Sequence, residues 1–194
     1  MLEKHEIEEI LKKTGAMLKG HFLLSSGKHS DQYFQCAKVL QYPEYCEKLC
    51  KELARKLKQE GIMKIQAVVA PAIGGILVSY ELARALKVRG IFTERENGVM
   101  KLRRGFSIRA GEKVLVAEDV ITTGGSVKEV IDAVKSAGGD VVGVAVIINR
   151  SGGKADLGVP IAALIDTYAT AYNPEECPLC KQGLQVVKPG SREM

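Results

Sequence analysis

One stretch constrains this chain more than any other: Val114-Leu-Val-Ala-Glu-Asp-Val-Ile-Thr-Thr-Gly-Gly-Ser-Val127. It begins with four apolar residues, Val114 to Ala117, a short run behind Gly111 that reads as a buried strand. Two adjacent acids, Glu118 and Asp119, follow, then Val120 and Ile121. Small and hydroxylated residues come next: Thr122, Thr123, Gly124, Gly125 and Ser126. Val127, Val130, Ile131 and Val134 then recur at helical spacing until Gly138-Gly139. The predicted unit is strand, acidic tip, Gly/Thr-rich loop and helix. A loop that opens a helix presents unpaired backbone N–H groups, and the helix dipole favours an anion there. The glycines admit a phosphate close to the backbone, and the hydroxyls add donors. Two carboxylates at the strand tip can accept hydrogen bonds from both hydroxyls of a ribose, directly or through a hydrated Mg²⁺. A phosphate site beside a diol site suits a ribose 5-phosphate. From Gly-Gly alone, an ordinary capped connection would serve as well. The Walker pattern with its Lys is absent.

The same alternation continues on both sides. Ile65 to Ala70 reads as a second buried strand, running into Pro71-Ala72-Ile73-Gly74-Gly75 and a helix through Leu86. This is another Gly-bearing loop at a helix N-terminus, and so a second anion site in principle. Val141 to Ile148 is a further strand, ending in Asn149-Arg150 and a Gly-rich turn. A guanidinium at such a tip matches a carboxylate bidentately. Ile161 to Ile165 is the last predicted strand. Pro43 to Glu60 is a helix whose buried stripe is Cys46, Leu49, Cys50, Leu53 and Leu57. Strands alternating with helices imply an α/β fold, a mainly parallel sheet flanked by helices on both faces. The loops at 71–75, 118–126 and 150–153 then converge on one crevice beyond the carboxyl ends of the strands.

The periphery is less regular. Residues 2–18 place Ile7, Ile10, Leu11, Thr14 and Leu18 on one helical face. Phe22 to Leu24 and Gln32 to Phe34 read as short strands around a Ser/Gly/Lys turn that includes Ser25 and Lys28. In residues 91–106, Asn97-Gly98 is a strong hairpin signal. A two-residue turn there sets Glu96 opposite Val99, Arg95 opposite Met100, and Glu94 opposite Lys101, the last a cross-strand ion pair. The hairpin is mostly charged and shows no good core-facing side, so it is expected to protrude and to be mobile. In the tail, Cys177-Pro-Leu-Cys180 is half of a zinc site or a redox pair. No second CxxC or nearby His pair completes four ligands. The reading is therefore reduced surface thiols, with a site shared across a dimer as the alternative.

At 194 residues the chain is expected to form one domain. Its net charge of +5 is too mild to argue for nucleic acid and suits the handling of small, multiply charged anions. No apolar run approaches a membrane span. Glu3, Glu6, Glu8 and Glu9 stand where a signal peptide would need basic and then apolar residues. Five cysteines without a short-domain pattern point to a reducing cytoplasm.

The 114–127 string closely resembles the phosphoribosyl pyrophosphate (PRPP) motif of type I phosphoribosyltransferases. Phe22-x-Leu24-x-Ser26-Gly27-x-x-Ser30, followed by Tyr33-Phe34, resembles the N-terminal segment of the orotate phosphoribosyltransferases. The resemblance implies transfer of a phosphoribosyl group from PRPP to orotate, with Mg²⁺, in a homodimer whose active sites are shared between subunits. It implies that Glu118 and Asp119 hold the ribose hydroxyls, with Mg²⁺ held indirectly through PRPP. Thr122 to Ser126 would hold the 5-phosphate, Val120 and Ile121 would also belong to the PRPP site, and Ala72, Ile73 and Gly74 would lie in the loop that holds the pyrophosphate. Phe34 would stack on orotate, with Tyr33 as second choice, and Lys28, Thr122 and Arg150 would bind it. Residues 1–40 would form a hood over the base, and 91–106 a mobile lid. Many members carry a Lys where this chain has Ser25. The lid's usual Lys and its His-Gly-Glu-Gly stretch are missing. Arg95 matches the Arg before the lid, and Lys101 and Arg103 are candidates for the closing, catalytic charge with Asp119. A purine phosphoribosyltransferase would share the PRPP motif but should lack the residue 22–34 segment. A PRPP-sensing regulator would need a DNA-binding domain or a strong basic stripe.

Overall fold

The computed structural model describes residues 2–24, 26–168 and 170–189. Ser25 therefore lies outside the described residues. Six α-helices are present among them: α1 (Lys4–Lys13), α2 (Ala37–Leu40), α3 (Pro43–Gln59), α4 (Gly75–Leu86), α5 (Gly125–Ser136) and α6 (Pro178–Lys181). The strands are β1 (Met17–Leu23), β2 (His29–Phe34), β3 (Ala67–Pro71), β4 (Arg89–Glu96), β5 (Val99–Leu102), β6 (Lys113–Ile121), β7 (Asp140–Asn149) and β8 (Ile161–Asp166). Strands β3 to β8 form one sheet in the order β5-β4-β3-β6-β7-β8. All its pairings are parallel except β4 with β5.

Side-chain alternation along the strands builds two cores. Val68 and Ala70 of β3, with Leu115 and Ala117 of β6, pack with Leu49, Leu53 and Leu57 of α3 and with Val78 and Leu82 of α4. Their neighbours Ala67, Val69, Val114 and Val116 pack instead with Val127, Val130, Ile131 and Val134 of α5. The near-continuous apolar runs of β3 and β6 follow directly, because helices cover both faces of a parallel sheet.

Three local expectations need correction. The first helix stops at Lys13, because Gly15 takes a left-handed φ of +69° and turns the chain into β1. Leu18 is thus a strand residue, and its helical spacing was coincidental. Strand β6 does not end before the acids; it runs through Glu118 and Asp119 to Ile121, paired with β7. The hairpin of β1 and β2 is longer than read, pairing Met17 with Phe34 at one end and Leu23 with His29 at the other. The tail returns to it: Tyr172 bridges His29, and Val187 bridges Phe22.

The Asn97-Gly98 turn has the predicted register, with Glu94, Arg95 and Glu96 opposite Lys101, Met100 and Val99. The ion pairs differ. Lys101 bonds to Glu96 at 2.9 Å, and Glu94 pairs with Arg104 at 2.8 Å. Residues 94, 96, 99 and 101 share one face of a two-residue hairpin, so the diagonal partner is also within reach. The opposite face has apolar contact after all. Met100 is buried, and Arg95 reaches Glu129 of α5 at 2.8 Å.

Candidate active site

Chain direction puts the site at the carboxyl edge between β3 and β6. From β3 the chain crosses through α4 to β4 on one side; from β6 it crosses through α5 to β7 on the other. Two crossovers diverging from adjacent strands leave a crevice between their loops.

The two loops meet at the acids. A Cβ placed on Gly74 would lie 3.1 Å from Asp119 Oδ1. One on Gly75 would lie 2.7 Å from Ala70 Cβ and 3.3 Å from Glu118 Oε1. Only glycine lets the 71–75 loop come this close. Within it, the Ala72–Ile73 peptide is cis, and Ile73 is exposed. On the other side, Glu118 and residues 120–127 line a cavity of about 140 Å³. Gly124 starts α5 at φ +84°, and a Cβ there would meet Leu157 at 3.1 Å. No side chain caps this helix, so its first N–H groups are left for a ligand. Thr122, Thr123 and Ser126 are exposed around the cavity, and Val120 and Ile121 form its strand wall.

The acids are crowded. Asp119 N–H donates to Glu118 Oε1 at 3.0 Å, and Val120 N–H donates to Asp119 Oδ1 at 2.8 Å. Burial, reinforced by the neighbouring Asp119 charge, pushes the Glu118 carboxyl up to about 9. Burial also raises Asp119. Such a pair calls for hydrogen-bond donors or a nearby cation. That is the environment two ribose hydroxyls and a metal-bound polyphosphate would provide.

The third loop brings Arg150. Its backbone N–H donates to Ile121 O at 2.7 Å, which docks it at the end of β6. Its side chain is buried, yet Nε and Nη2 have no hydrogen-bond partner among the described residues. Burial lowers its pKa, partly opposed by Tyr33 and Asp31. The guanidinium lies 5.1 Å from the centroid of the Phe34 ring. Phe34 is itself buried, so it supports the guanidinium, and the neighbouring Tyr33 is the more accessible aromatic. Cys36, just after β2, lies with its thiol 3.8 Å from Asp119 O and ties the N-terminal hairpin to the acids. Its thiol pKa is well raised, by burial first and then by Asp119 and Glu118. Sequence reading passed over Cys36, because nothing in its spacing marks it. Lys28 is exposed on the turn between β1 and β2.

The hairpin cations stand apart from this cluster. Arg95 pairs with Glu129, Lys101 and Arg103 with Glu96, and Arg104 with Glu94.

Comparison with known proteins bears on this geometry. Residues 40–161 match the family model described as the phosphoribosyl transferase domain. An orotate phosphoribosyltransferase of Desulforamulus reducens is 62% identical over 193 residues, covering 100% of both chains. The chain belongs to the orotate phosphoribosyltransferase family. Members are pentosyltransferases of pyrimidine synthesis. The crystal structure of the Aeropyrum pernix orotate phosphoribosyltransferase superposes with a TM-score of 0.70 at 27% identity, covering 82% of this chain and 93% of that one. An adenine phosphoribosyltransferase from Thermoanaerobacter pseudethanolicus superposes at 0.64 with 20% identity, over 82% of this chain and 99% of that one. That likeness shows the fold alone, so base choice rests on side chains around the crevice.

Proposed function

We propose that the chain converts orotate and PRPP to orotidine 5′-monophosphate and pyrophosphate, with the parts of the crevice divided as follows. Arg150 takes the carboxylate of orotate through its two free N–H groups. Tyr33 and Phe34 wall the base, and Lys28 and Thr122 complete its contacts. Glu118 and Asp119 accept hydrogen bonds from the ribose hydroxyls. The backbone and hydroxyls of residues 122–126, behind Val120 and Ile121, hold the 5-phosphate, while Ala72, Ile73 and Gly74 face the pyrophosphate. The observation that carries this reading is the buried guanidinium with unpaired donors, set one strand from the buried Glu118 and half-buried Asp119. A purine has no carboxylate to satisfy it.

The reaction loses pyrophosphate from the anomeric carbon through an oxocarbenium-like state. It needs fixed geometry and a neutralised leaving group more than acid–base work. Mg²⁺ bound with PRPP supplies part of that neutralisation, and the raised Glu118 and Asp119 suit a neighbouring cation. Asp119 fixes the ribose against the phosphate loop, so the anomeric carbon faces the base held at Arg150.

Arg95, Lys101 and Arg103 belong to the closing step. Residues 94–101 extend past Pro71, the last β3 residue paired with β4. The outer strand β5 stands three strand spacings from β6, about 14 Å at 4.8 Å each. That offset supports a lid that serves the partner subunit of a homodimer, with residues 91–106 as the lid and 1–40 as the hood of one catalytic unit. None of the five cysteines is in a disulfide, which supports a cytoplasmic setting. No helix among the described residues is long and apolar enough to cross a membrane.

The test offers orotate, adenine and hypoxanthine in parallel with PRPP and Mg²⁺. Orotate alone should be consumed, and only with both additions. Turnover of a purine without orotate turnover would overturn the substrate assignment.

A further inference from the structure

The CxxC pair of the tail does not sit as a pair of surface thiols. Cys177 is fully buried, and His21 and His29 come to it from the N-terminal hairpin. The four candidate donor atoms all lie within 4.8 Å of one another. Cys177 Sγ is 3.5 Å from His21 Nε2, and Cys180 Sγ is 3.7 Å from the same nitrogen. Cys180 Sγ is 3.3 Å from His29 Nδ1, and the two ring nitrogens are 2.9 Å apart. A tetrahedral zinc with bonds of about 2.0–2.1 Å to nitrogen and about 2.3 Å to sulfur puts ligand atoms roughly 3.3–3.8 Å apart. Those four separations come within about half an ångström of that shape, and the remaining two are no longer than 4.8 Å, so small side-chain adjustments would seat the ion.

We infer that His21, His29, Cys177 and Cys180 bind one structural zinc ion within a single chain, clamping the C-terminal tail to the N-terminal hairpin. Four protein donors leave no open position, which is the mark of a structural rather than a catalytic zinc. The tautomer is prepared. His21 Nδ1 lies 2.8 Å from Leu184 O, so it holds the proton there and leaves the Nε2 lone pair facing the cluster. Three of the four donor residues are buried, and neither cysteine is in a disulfide. On binding, the two thiols release their protons to solvent and the zinc takes two thiolates and two neutral imidazoles.

The clamp has a mechanical use. His29 is paired with Leu23, so His21 and His29 bracket the turn that carries Lys28. The tail reinforces the same place with backbone bonds: His29 N–H to Tyr172 O at 2.9 Å, and Leu23 N–H to Val187 O at 2.9 Å. One metal therefore joins segments more than 150 residues apart next to the proposed base site. The metal assignment does not depend on the substrate assignment.

The experiment uses untagged full-length protein, purified without chelator and analysed for metal. About one zinc per chain is expected, falling to near zero in Cys177→Ser/Cys180→Ser and reduced in His29→Ala. Stripping the wild type and titrating it with Co²⁺ should give the intense visible bands of a tetrahedral thiolate site, which needs no variant to fold. Removing zinc should lower the melting temperature and open the 172–187 tail to protease, and zinc should restore both. Protein that retains no zinc and gives no cobalt bands would overturn the site, as would a Cys177–Cys180 disulfide in protein kept under reducing conditions. Zinc that leaves without changing tail protection would overturn the clamp.

Discussion

Two regions offer cations to anionic ligands, and they do so in opposite ways. Arg150 is buried, rests on Phe34, and keeps two donors unpaired. Arg95, Lys101, Arg103 and Arg104 of the hairpin are exposed, and each is engaged by a carboxylate. An unpaired buried donor costs free energy in the empty protein and returns it when a ligand arrives. An exposed pair costs little and must be exchanged for the ligand. The first arrangement gives a preformed, selective pocket; the second gives a part that moves. This contrast can be attacked at three strengths.

The largest effect is expected at Arg150. Arg150→Ala should weaken orotate binding by about 2–5 kcal/mol, the range for truncating one partner of a buried charge pair. PRPP affinity should hardly change, since its contacts lie on β3 and β6. Calorimetric titration with each ligand separates the two. Loss of PRPP with orotate binding kept would place Arg150 on the wrong side of the crevice. Arg150→Lys should recover little, because an ammonium cannot present the two-pronged donor.

The second effect is on stability and depends on pH. Glu118 has its folded-state pKa raised from the ordinary carboxylate range to about 9, by burial first and then by Asp119. Between those limits the folded empty protein holds a proton that the unfolded chain has lost. Stability must therefore fall as pH rises through this window. Glu118→Gln removes the liability. The variant should gain melting temperature over the empty wild type, and the gap should widen from pH 5 toward about 9. Activity should fall together with that gain, because the ribose loses an acceptor. A gap that stays constant across this range would mean that Glu118 is already ionised in the fold.

How legible all this was depended on how local it was. The strand, acids, loop and helix of residues 113–136 are contiguous, and each step follows from a local preference. Even the hairpin register follows from Asn97-Gly98, because the turn type fixes it. Ion-pair partners on that hairpin did not follow, since long side chains choose among diagonal neighbours. Met100 was hidden in a charged segment and became core only because α5 lies beside it. Ring support of Arg150 by Phe34 required β2 to be folded over the end of β7. The histidines near Cys177 escaped notice because a ligand search along the sequence looks nearby. His21 and His29 flank a Ser-Gly turn at opposite ends of the chain from the cysteines. An imidazole on each strand of one hairpin, with a CxxC elsewhere, was the available signal.

The smallest effect belongs to the hairpin, and it tests whether paired, exposed cations have any role in closure. Lys101 and Arg103 share Glu96 on the surface. Exposed pairs of this kind contribute little to stability. Lys101→Ala with Arg103→Ala should leave the melting temperature within the scatter of repeated scans. Any loss should appear in turnover instead. A mixed dimer locates it: one subunit carries the double hairpin change, and the other carries Asp119→Asn. If each lid serves its partner, both defects fall on one site and the other site is intact. The mixed dimer then keeps about half of the wild-type rate, since defects in one catalytic unit do not add. If each lid serves its own subunit, both sites are damaged and the rate is nearly lost. Wild-type turnover in the double hairpin variant as a homodimer would remove Lys101 and Arg103 from the mechanism, and leave the phosphate loop, the acids and Arg150 as the whole of the catalytic apparatus.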